Sequence, residues 1–371
     1  MNKPKLLCIL HRTPPAHGAS KVGDFIEASK KLKENFDCHF ITIKSSDAIG
    51  DIGKVNFKKF YLVAELYVKV FWTLLTFRPQ KLYFTASIKS VALYRDLLVS
   101  TLWRAYKLFK PIDVYYHYHT KGVDEFVSGS ERNLKLTRFF VKDVNLVLLS
   151  PMLEKDFEQV QTFKKVFYLP NGVEDTLEDV YFSKLIETKY KQQKPLEILY
   201  LSNMIKSKGY FNVLELANKT KDQSIHYHFA GGWQDPEDEK EFFEYIEQNK
   251  LEGTVTFYGF VNGNEKQKLF EKAHFFTFPT RYENEAFPLS ILEALSYGVP
   301  VIATDEGSIP YILDEESGIV LNDVDKLSEA LEQAKEKLLN KETAKYCRQR
   351  YLNNFSLGQF EDNLIKTLNG R

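Results

Sequence analysis

Short apolar runs alternate along this chain with longer stretches whose apolar residues recur at helical spacing. In the first half the runs are Leu6–Leu10, Cys38–Ile43, Lys81–Thr85, Asp113–His117 and Asn145–Leu149. In the second they are Glu197–Leu201, His226–Ala230, Thr254–Tyr258, His274–Phe278 and Val299–Ala303. A brief, nearly unbroken apolar run suits a strand buried on both faces, as in a parallel sheet. Strands separated by helices are the signature of α/β architecture. The pattern predicts two doubly wound, Rossmann-like domains in series, facing each other across a cleft, each with its ligand edge at the carboxyl ends of the strands. Leu169-Pro-Asn-Gly-Val-Glu174 is a turn-rich joint that follows a strand, Thr188–Pro195 is a polar surface loop, and Ser356–Leu368 is a helix near the end.

Composition narrows the picture. With 371 residues, 44% of them hydrophobic, the chain can fill two cores. Its formal net charge is zero, yet residues 1–170 carry about 27 basic and 16 acidic side chains, roughly +11. A basic first half beside an acidic second half fits an anionic surface met by one face only. The three cysteines, Cys8, Cys38 and Cys347, show neither zinc spacing nor a disulfide framework, which suits a reducing compartment. The opening MNKPKLLCIL is too short an apolar stretch for a signal peptide. The best candidate for a membrane span, Phe60–Phe77, is interrupted by Glu65 and Lys69. A cytoplasmic protein is expected, peripheral on the inner face of the membrane if it meets one.

The candidate chemistry centres on Arg281–Thr304, RYENEAFPLSILEALSYGVPVIAT. Pro288 suits the first turn of a helix, where its missing N–H costs nothing. Glu285 stands just before it and Glu293 lies about a turn and a half inside the helix. Gly298 ends the helix ahead of the strand Val299–Ala303. The loop-to-helix turn offers free N–H groups and a positive dipole end to a phosphate, while the two carboxylates accept from hydroxyls. Phosphate between two hydroxyl-bearing groups describes a nucleotide sugar. A second anion site is predicted at Leu201-Ser-Asn-Met-Ile-Lys-Ser-Lys-Gly209, a strand followed by a polar turn and a helix start, with Lys208 supplying a full charge.

These residues resemble the retaining group-1 glycosyltransferases of bacterial cell-surface polysaccharide synthesis, a family of GT-B fold. The likeness rests on Glu285-Ala-Phe-Pro-x-x-x-Leu-Glu293-Ala-Leu-x-x-Gly-x-Pro-Val-Ile-Ala, the family's E-x7-E motif, and on the P-N-G-V joint. The pattern is departed from in three places: Ala286 replaces a customary glycine, Ser202-Asn203 replaces Gly-Arg ahead of Lys208-Gly209, and Ala19 replaces a common second glycine after Gly18. The resemblance implies an acceptor-side domain over 1–170, a nucleotide-sugar domain over 171–354, and a last helix, 355–371, returning to the first domain. It implies that Glu285, Lys208 and His119 carry the reaction. Glu293, Asn203, Gly18, Ala286, Phe287, Pro288, Leu289, Ser290, Phe260 and Val261 would bind the donor. Gly18 lies in Pro14-Pro-Ala-His-Gly-Ala-Ser20 after the first strand, where relatives approach the donor phosphates and the acceptor. His119 lies in Tyr116-His-Tyr-His-Thr-Lys-Gly122, with His117 as its competitor on the same strand face.

The implied activity is transfer of a sugar, with retention, from a nucleotide diphosphate to a hydroxyl of a glycan or lipid-linked glycan. A uridine donor is the default and guanosine the runner-up. No metal and no cofactor are called for. Two rivals are a GT-B sugar-nucleotide epimerase and a non-catalytic glycan- or nucleotide-binding partner. A nicotinamide enzyme is disfavoured because G-x-G-x-x-G occurs nowhere, and nucleic-acid binding because no recognition module accompanies the basic half. Lys54–Lys110 holds about eleven basic and two acidic residues. Interleaved with them are aromatics such as Phe57, Phe60, Tyr61, Phe71, Trp72 and Trp103. That mixture favours an anionic membrane surface as a further partner.

Overall fold

A computed structural model of the protein describes residues 3–14, 18–44, 57–191 and 195–371. The chain divides into two compact units, Met1–Asn171 with Leu357–Arg371, and Gly172–Ser356.

The first unit is built on a six-stranded parallel sheet. Its strands are β1 (Lys5–His11), β2 (Asp37–Ile43), β3 (Lys81–Thr85), β4 (Asp113–His117), β5 (Asn145–Leu148) and β6 (Lys165–Tyr168), in the order β2-β1-β3-β4-β5-β6. Period-two geometry sorts β1 between two cores. Leu6, Cys8 and Leu10 join Val22, Ile26 and Phe36 on one face, and Leu7 and Ile9 join Val70, Leu74 and Trp103 on the other. The final helix, Leu357–Leu368, completes the first of these cores with Phe360, Leu364 and Leu368. Lys31 binds its Asp362 at 2.8 Å, and the Tyr115 hydroxyl donates to the Leu368 carbonyl at 3.3 Å.

The second unit has its own six-stranded parallel sheet. Its strands are β7 (Leu196–Leu201), β8 (Ile225–Ala230), β9 (Val255–Phe257), β10 (Phe275–Phe278), β11 (Val301–Thr304) and β12 (Gly318–Leu321), in the order β12-β11-β10-β7-β8-β9. The sequence runs correspond to ten of the twelve strands. The strand implied before the joint is β6, and β12 is the one the reading passed over. Edge position explains the difficulty: both are four residues long, and each has a partly exposed middle.

Strand β11 starts two residues later than the apolar run suggests. Val299 N–H still closes the end of the preceding helix on the Ala294 carbonyl, and Pro300 has no N–H to give. The polar stretch Thr188–Pro195 begins inside a helix, Asp179–Lys189, and residues 192–194 lie outside the described ones.

That helix ends on a buried cation. The Lys189 ammonium donates to the Ala273 carbonyl at 2.8 Å. Burial pushes its pKa down from 10.5 to about 7. In the unfolded chain the group keeps its proton to about 10.5, so between those values folding releases a proton. Stability from this group is therefore present above pH 10.5 and declines as the pH falls toward 7, below which it levels off. Lys189→Met should be the more stable protein at pH 7, with a lead of roughly 2–4 °C in Tm for each kcal/mol recovered. That lead should shrink by pH 9. Melting curves of both proteins at the two pH values check it, and a lead independent of pH would contradict the account.

Candidate functional site

In the second unit the sheet order places β7 and β10 side by side, with β8 and β9 continuing outward from β7 and β11 and β12 outward from β10. Strand order reverses there, and loops leaving the carboxyl ends of two such strands part to opposite sides and open a crevice. The loop after β7 carries Lys208 and the loop after β10 carries Glu285. The structure brings these two together: Lys208 Nζ lies 2.9 Å from Glu285 Oε2, with both side chains mostly buried. The same ammonium sits 5.0 Å from the centre of the Tyr282 ring and 5.9 Å from that of Phe278. A cation held between a carboxylate and two aromatic faces is fixed in place with one of its three donors committed to Glu285.

Backbone geometry sets this position. Lys206–Lys208 form a single 3-10 turn, and Gly209, at φ +86°, begins the helix Tyr210–Lys219. A Cβ on Gly209 would stand 2.3 Å from the Pro279 carbonyl oxygen, so the β7 loop touches the β10 loop through a missing side chain. Gly307, at φ +57°, plays the same part on the other side, where a Cβ would lie 2.1 Å from the Glu285 carbonyl oxygen. Next to it, Ser308 N–H donates to the Ala286 carbonyl at 2.9 Å.

The helices that follow β7 and β10, Tyr210–Lys219 and Leu289–Ser296, begin without a side-chain cap. Their first-turn N–H groups and positive dipole ends suit an anion. Pro288 is the cap residue of the second, at ψ 117°, so the helix starts at Leu289, one residue beyond the expected first turn. Ala286, Phe287 and Pro288 are buried, Phe287 against Phe355, and Leu289 and Ser290 are half-buried. Glu293 is half-buried and pairs with Lys266 at 2.6 Å rather than with Lys208.

Asn203 is exposed in the β7 loop. Lys206, in the same loop, turns to Glu241 at 2.5 Å and Asp238 at 3.7 Å. After β9, Phe260 is exposed while Val261 is buried. Sequence reasoning missed Tyr282, Lys266 and Gly307. Tyr282 stands three residues before Glu285 and was legible as an aromatic beside the motif. The other two come from separate loops and helices and had no local signal.

In the first unit, Gly18 opens the helix Gly18–Ala28, which follows β1, and a Cβ there would meet nothing within 4 Å. Pro15, Ala16 and His17 of the same loop lie outside the described residues. His119 is half-buried beyond the end of β4, with its ring centre 4.0 Å from that of His117. His117 itself is fully buried, and its Nδ1 is hydrogen-bonded to the Tyr83 hydroxyl. Burial, with His119 adding to it, holds the His117 pKa well below the usual histidine value, so this ring is neutral. Of the two histidines, His117 belongs to the core. Trp103 is core as well, donating to the Tyr116 hydroxyl at 2.9 Å. Among the described residues no group of His, Cys, Asp and Glu is placed to hold a metal ion.

Residues 183–351 match the family of glycosyl transferases group 1. A putative colanic acid biosynthesis glycosyltransferase, WcaL of Escherichia coli K12, is 27% identical over 148 residues, 37% of this chain and 35% of that protein. The O-antigen chain mannosyltransferase B of Escherichia coli is 34% identical over 99 residues, 26% of this chain and 24% of that protein. The chain thus spans about a third of the length of the first of these relatives and about a quarter of the second. Among solved structures, Anabaena Alr3699/HepE in complex with UDP and glucose aligns with 99% of this chain and all of its own, at a TM-score of 0.68 and 16% identity. At that identity the likeness establishes the fold: two Rossmann-like parallel sheets of the GT-B class.

Proposed function

We propose that this chain is a retaining glycosyltransferase that moves a sugar from a nucleotide diphosphate to a hydroxyl of a glycan or lipid-linked glycan in cell-surface polysaccharide synthesis. The observation that carries the reading is the Lys208–Glu285 pair, 2.9 Å apart at the strand-order reversal, inside the segment that matches group 1 glycosyl transferases.

The division of labour follows from charge. Cleavage of the donor's anomeric bond leaves negative charge on the diphosphate. Lys208 and the uncapped N–H groups of Leu289–Ser296 would stabilise that charge as it builds, without reorganisation at the moment of reaction. Glu285 would accept from sugar hydroxyls and so orient the anomeric carbon, while its charge keeps the Lys208 ammonium oriented. Glu293 would take the ribose hydroxyls, with Lys266 at 2.6 Å holding its carboxylate in place. On the first unit, His119, whose ring centre lies 4.0 Å from that of His117, would contact the transferred sugar. Gly18 leaves open space beside the opening of its helix, where a phosphate could approach the backbone.

Uridine is the preferred base, supported by the UDP complex of the structurally similar Anabaena protein. Guanosine is the alternative. A thermal-shift panel of uridine, guanosine and adenosine diphosphate sugars tests the assignment. A bound donor at about a hundred times its Kd stabilises by roughly 2.7 kcal/mol, a rise of several degrees. A rise with one uridine diphosphate sugar is the expected result. No rise with any donor would contradict the reading.

A further inference from the structure

The outward faces of two helices in the first unit have the wrong polarity for water. On Phe57–Thr76, the described residues most open to solvent include Phe60, Tyr61, Val68, Phe71, Trp72 and Leu75. Phe60 is 77% exposed and Trp72 59%. Lys69 is the one charged residue among the exposed positions described on that helix. The opposite face, with Leu66, Val70 and Leu74, is already spent on the core. The neighbouring helix Ser90–Lys107 packs beside it and repeats the arrangement with Val91, Tyr94 and Leu98 outward, continuing into Leu108 and Phe109. Leu108 is 82% exposed and Phe109 86%. A helix of a water-exposed layer should be polar on its outer face, and contiguous exposed apolar patches of this extent mark an interaction surface.

Charge around the patch identifies the partner. Exposed Lys44, Lys69, Arg78 and Lys110 belong to these helices or the segments flanking them. The two carboxylates of the region are both paired, Glu65 at the surface and Asp96 in the interior. Glu65 is held by Lys44 at 2.9 Å and by Lys69 at 2.6 Å, and Asp96 is fully buried, accepting from Ser87 N–H at 2.8 Å and from Arg95 at 2.7 Å. The result is an apolar face with a basic border that offers no unpaired carboxylate among its described residues. A second copy of the chain is a poor fit, because a two-fold contact would set that basic border against itself. Among the described residues no helix is long and apolar enough to cross a membrane, so the face suits a helix pair lying on a bilayer rather than through it.

We propose that the joint outer face of Phe57–Thr76 and Ser90–Lys107 seats on an anionic lipid bilayer, with the aromatic side chains at headgroup depth and the lysines and arginines on the phosphates. This surface is separate from the residues assigned to sugar transfer, and its behaviour does not depend on that assignment.

Flotation of the full chain with vesicles of phosphatidylglycerol and phosphatidylcholine in equal parts tests it, with no donor or acceptor present. The wild-type chain should float with these vesicles at low salt and much less with pure phosphatidylcholine. Trp72→Glu combined with Leu98→Glu, both at exposed positions, should reduce partitioning by at least about tenfold while circular dichroism stays unchanged. Brominated lipid should quench fluorescence of the wild-type chain, and Trp72→Phe should lose that quenching yet still float. No flotation of the wild-type chain, equal flotation of the double variant, or equal quenching in Trp72→Phe would each overturn the proposal. So would a stable dimer in solution that the double variant dissociates.

Discussion

Replacing Lys208 with methionine should lower sugar transfer by about 10²–10³-fold while the protein stays folded. Methionine keeps most of the side chain's apolar volume between Phe278 and Tyr282 but removes the charge. The loss should fall mainly on kcat, because charge on the departing diphosphate is greater in the transition state than in the bound donor. Glu285→Gln should produce a loss of similar size for a different reason. It keeps the shape and one acceptor oxygen but weakens the hydroxyl bonds and releases the partner that orients Lys208. The two losses should not add in the double variant, since the residues act as one unit at 2.9 Å. Steady-state rates of nucleoside diphosphate release from the three variants check this, with melting curves to show that folding is retained. A double variant whose loss is the product of the single losses would mean that the pair works independently.

The second large effect concerns a residue with no side chain. Gly209→Ala puts a methyl 2.3 Å from the Pro279 carbonyl oxygen at φ +86°, a backbone region that side chains rarely adopt. Neither strain relaxes cheaply, because the obstacle is backbone on the adjoining loop. A loss of roughly 3 kcal/mol is expected from the two together. For a unit of this size that lowers Tm by about 6–12 °C. Activity should fall with it even below the melting range, since separating the β7 and β10 loops separates Lys208 from Glu285. Differential scanning calorimetry and rates measured well below Tm test both halves. An alanine variant with unchanged Tm would show that the two loops are not locked together through Gly209.

Legibility in the sequence followed the range of the interaction. Apolar runs such as Leu6–Leu10 and Lys81–Thr85 predicted strands to within a residue because burial on both faces leaves an unbroken signal. The edge strand β12 went unread although Gly-Ile-Val-Leu spells it, since a four-residue run among loops is not distinctive. At the candidate site, Lys208 and Glu285 were named separately, each from its own turn. That they form one ion pair depends on β7 and β10 being neighbours, a consequence of strand order that no local pattern carries. The Glu293–Lys266 pair was invisible for the same reason. Lys206 shows the opposite case. It lies two residues from Lys208 in the same polar turn, but two carboxylates on a neighbouring helix claim it. The histidines divide similarly: spacing put His117 and His119 on one face, and only burial separated the core residue from the one at the edge.

The central claim is that Lys208 and Glu285 drive departure of a nucleoside diphosphate from a sugar donor. Its most direct test is nucleoside diphosphate release by the wild-type chain and by Lys208→Met, using the donor selected by thermal shift and a lipid-linked or free glycan acceptor. Acceptor-dependent release by the wild-type protein, with a fall of at least about 10² in the variant, is the predicted result. Absence of release by the wild-type protein, or equal release by the two, would contradict it.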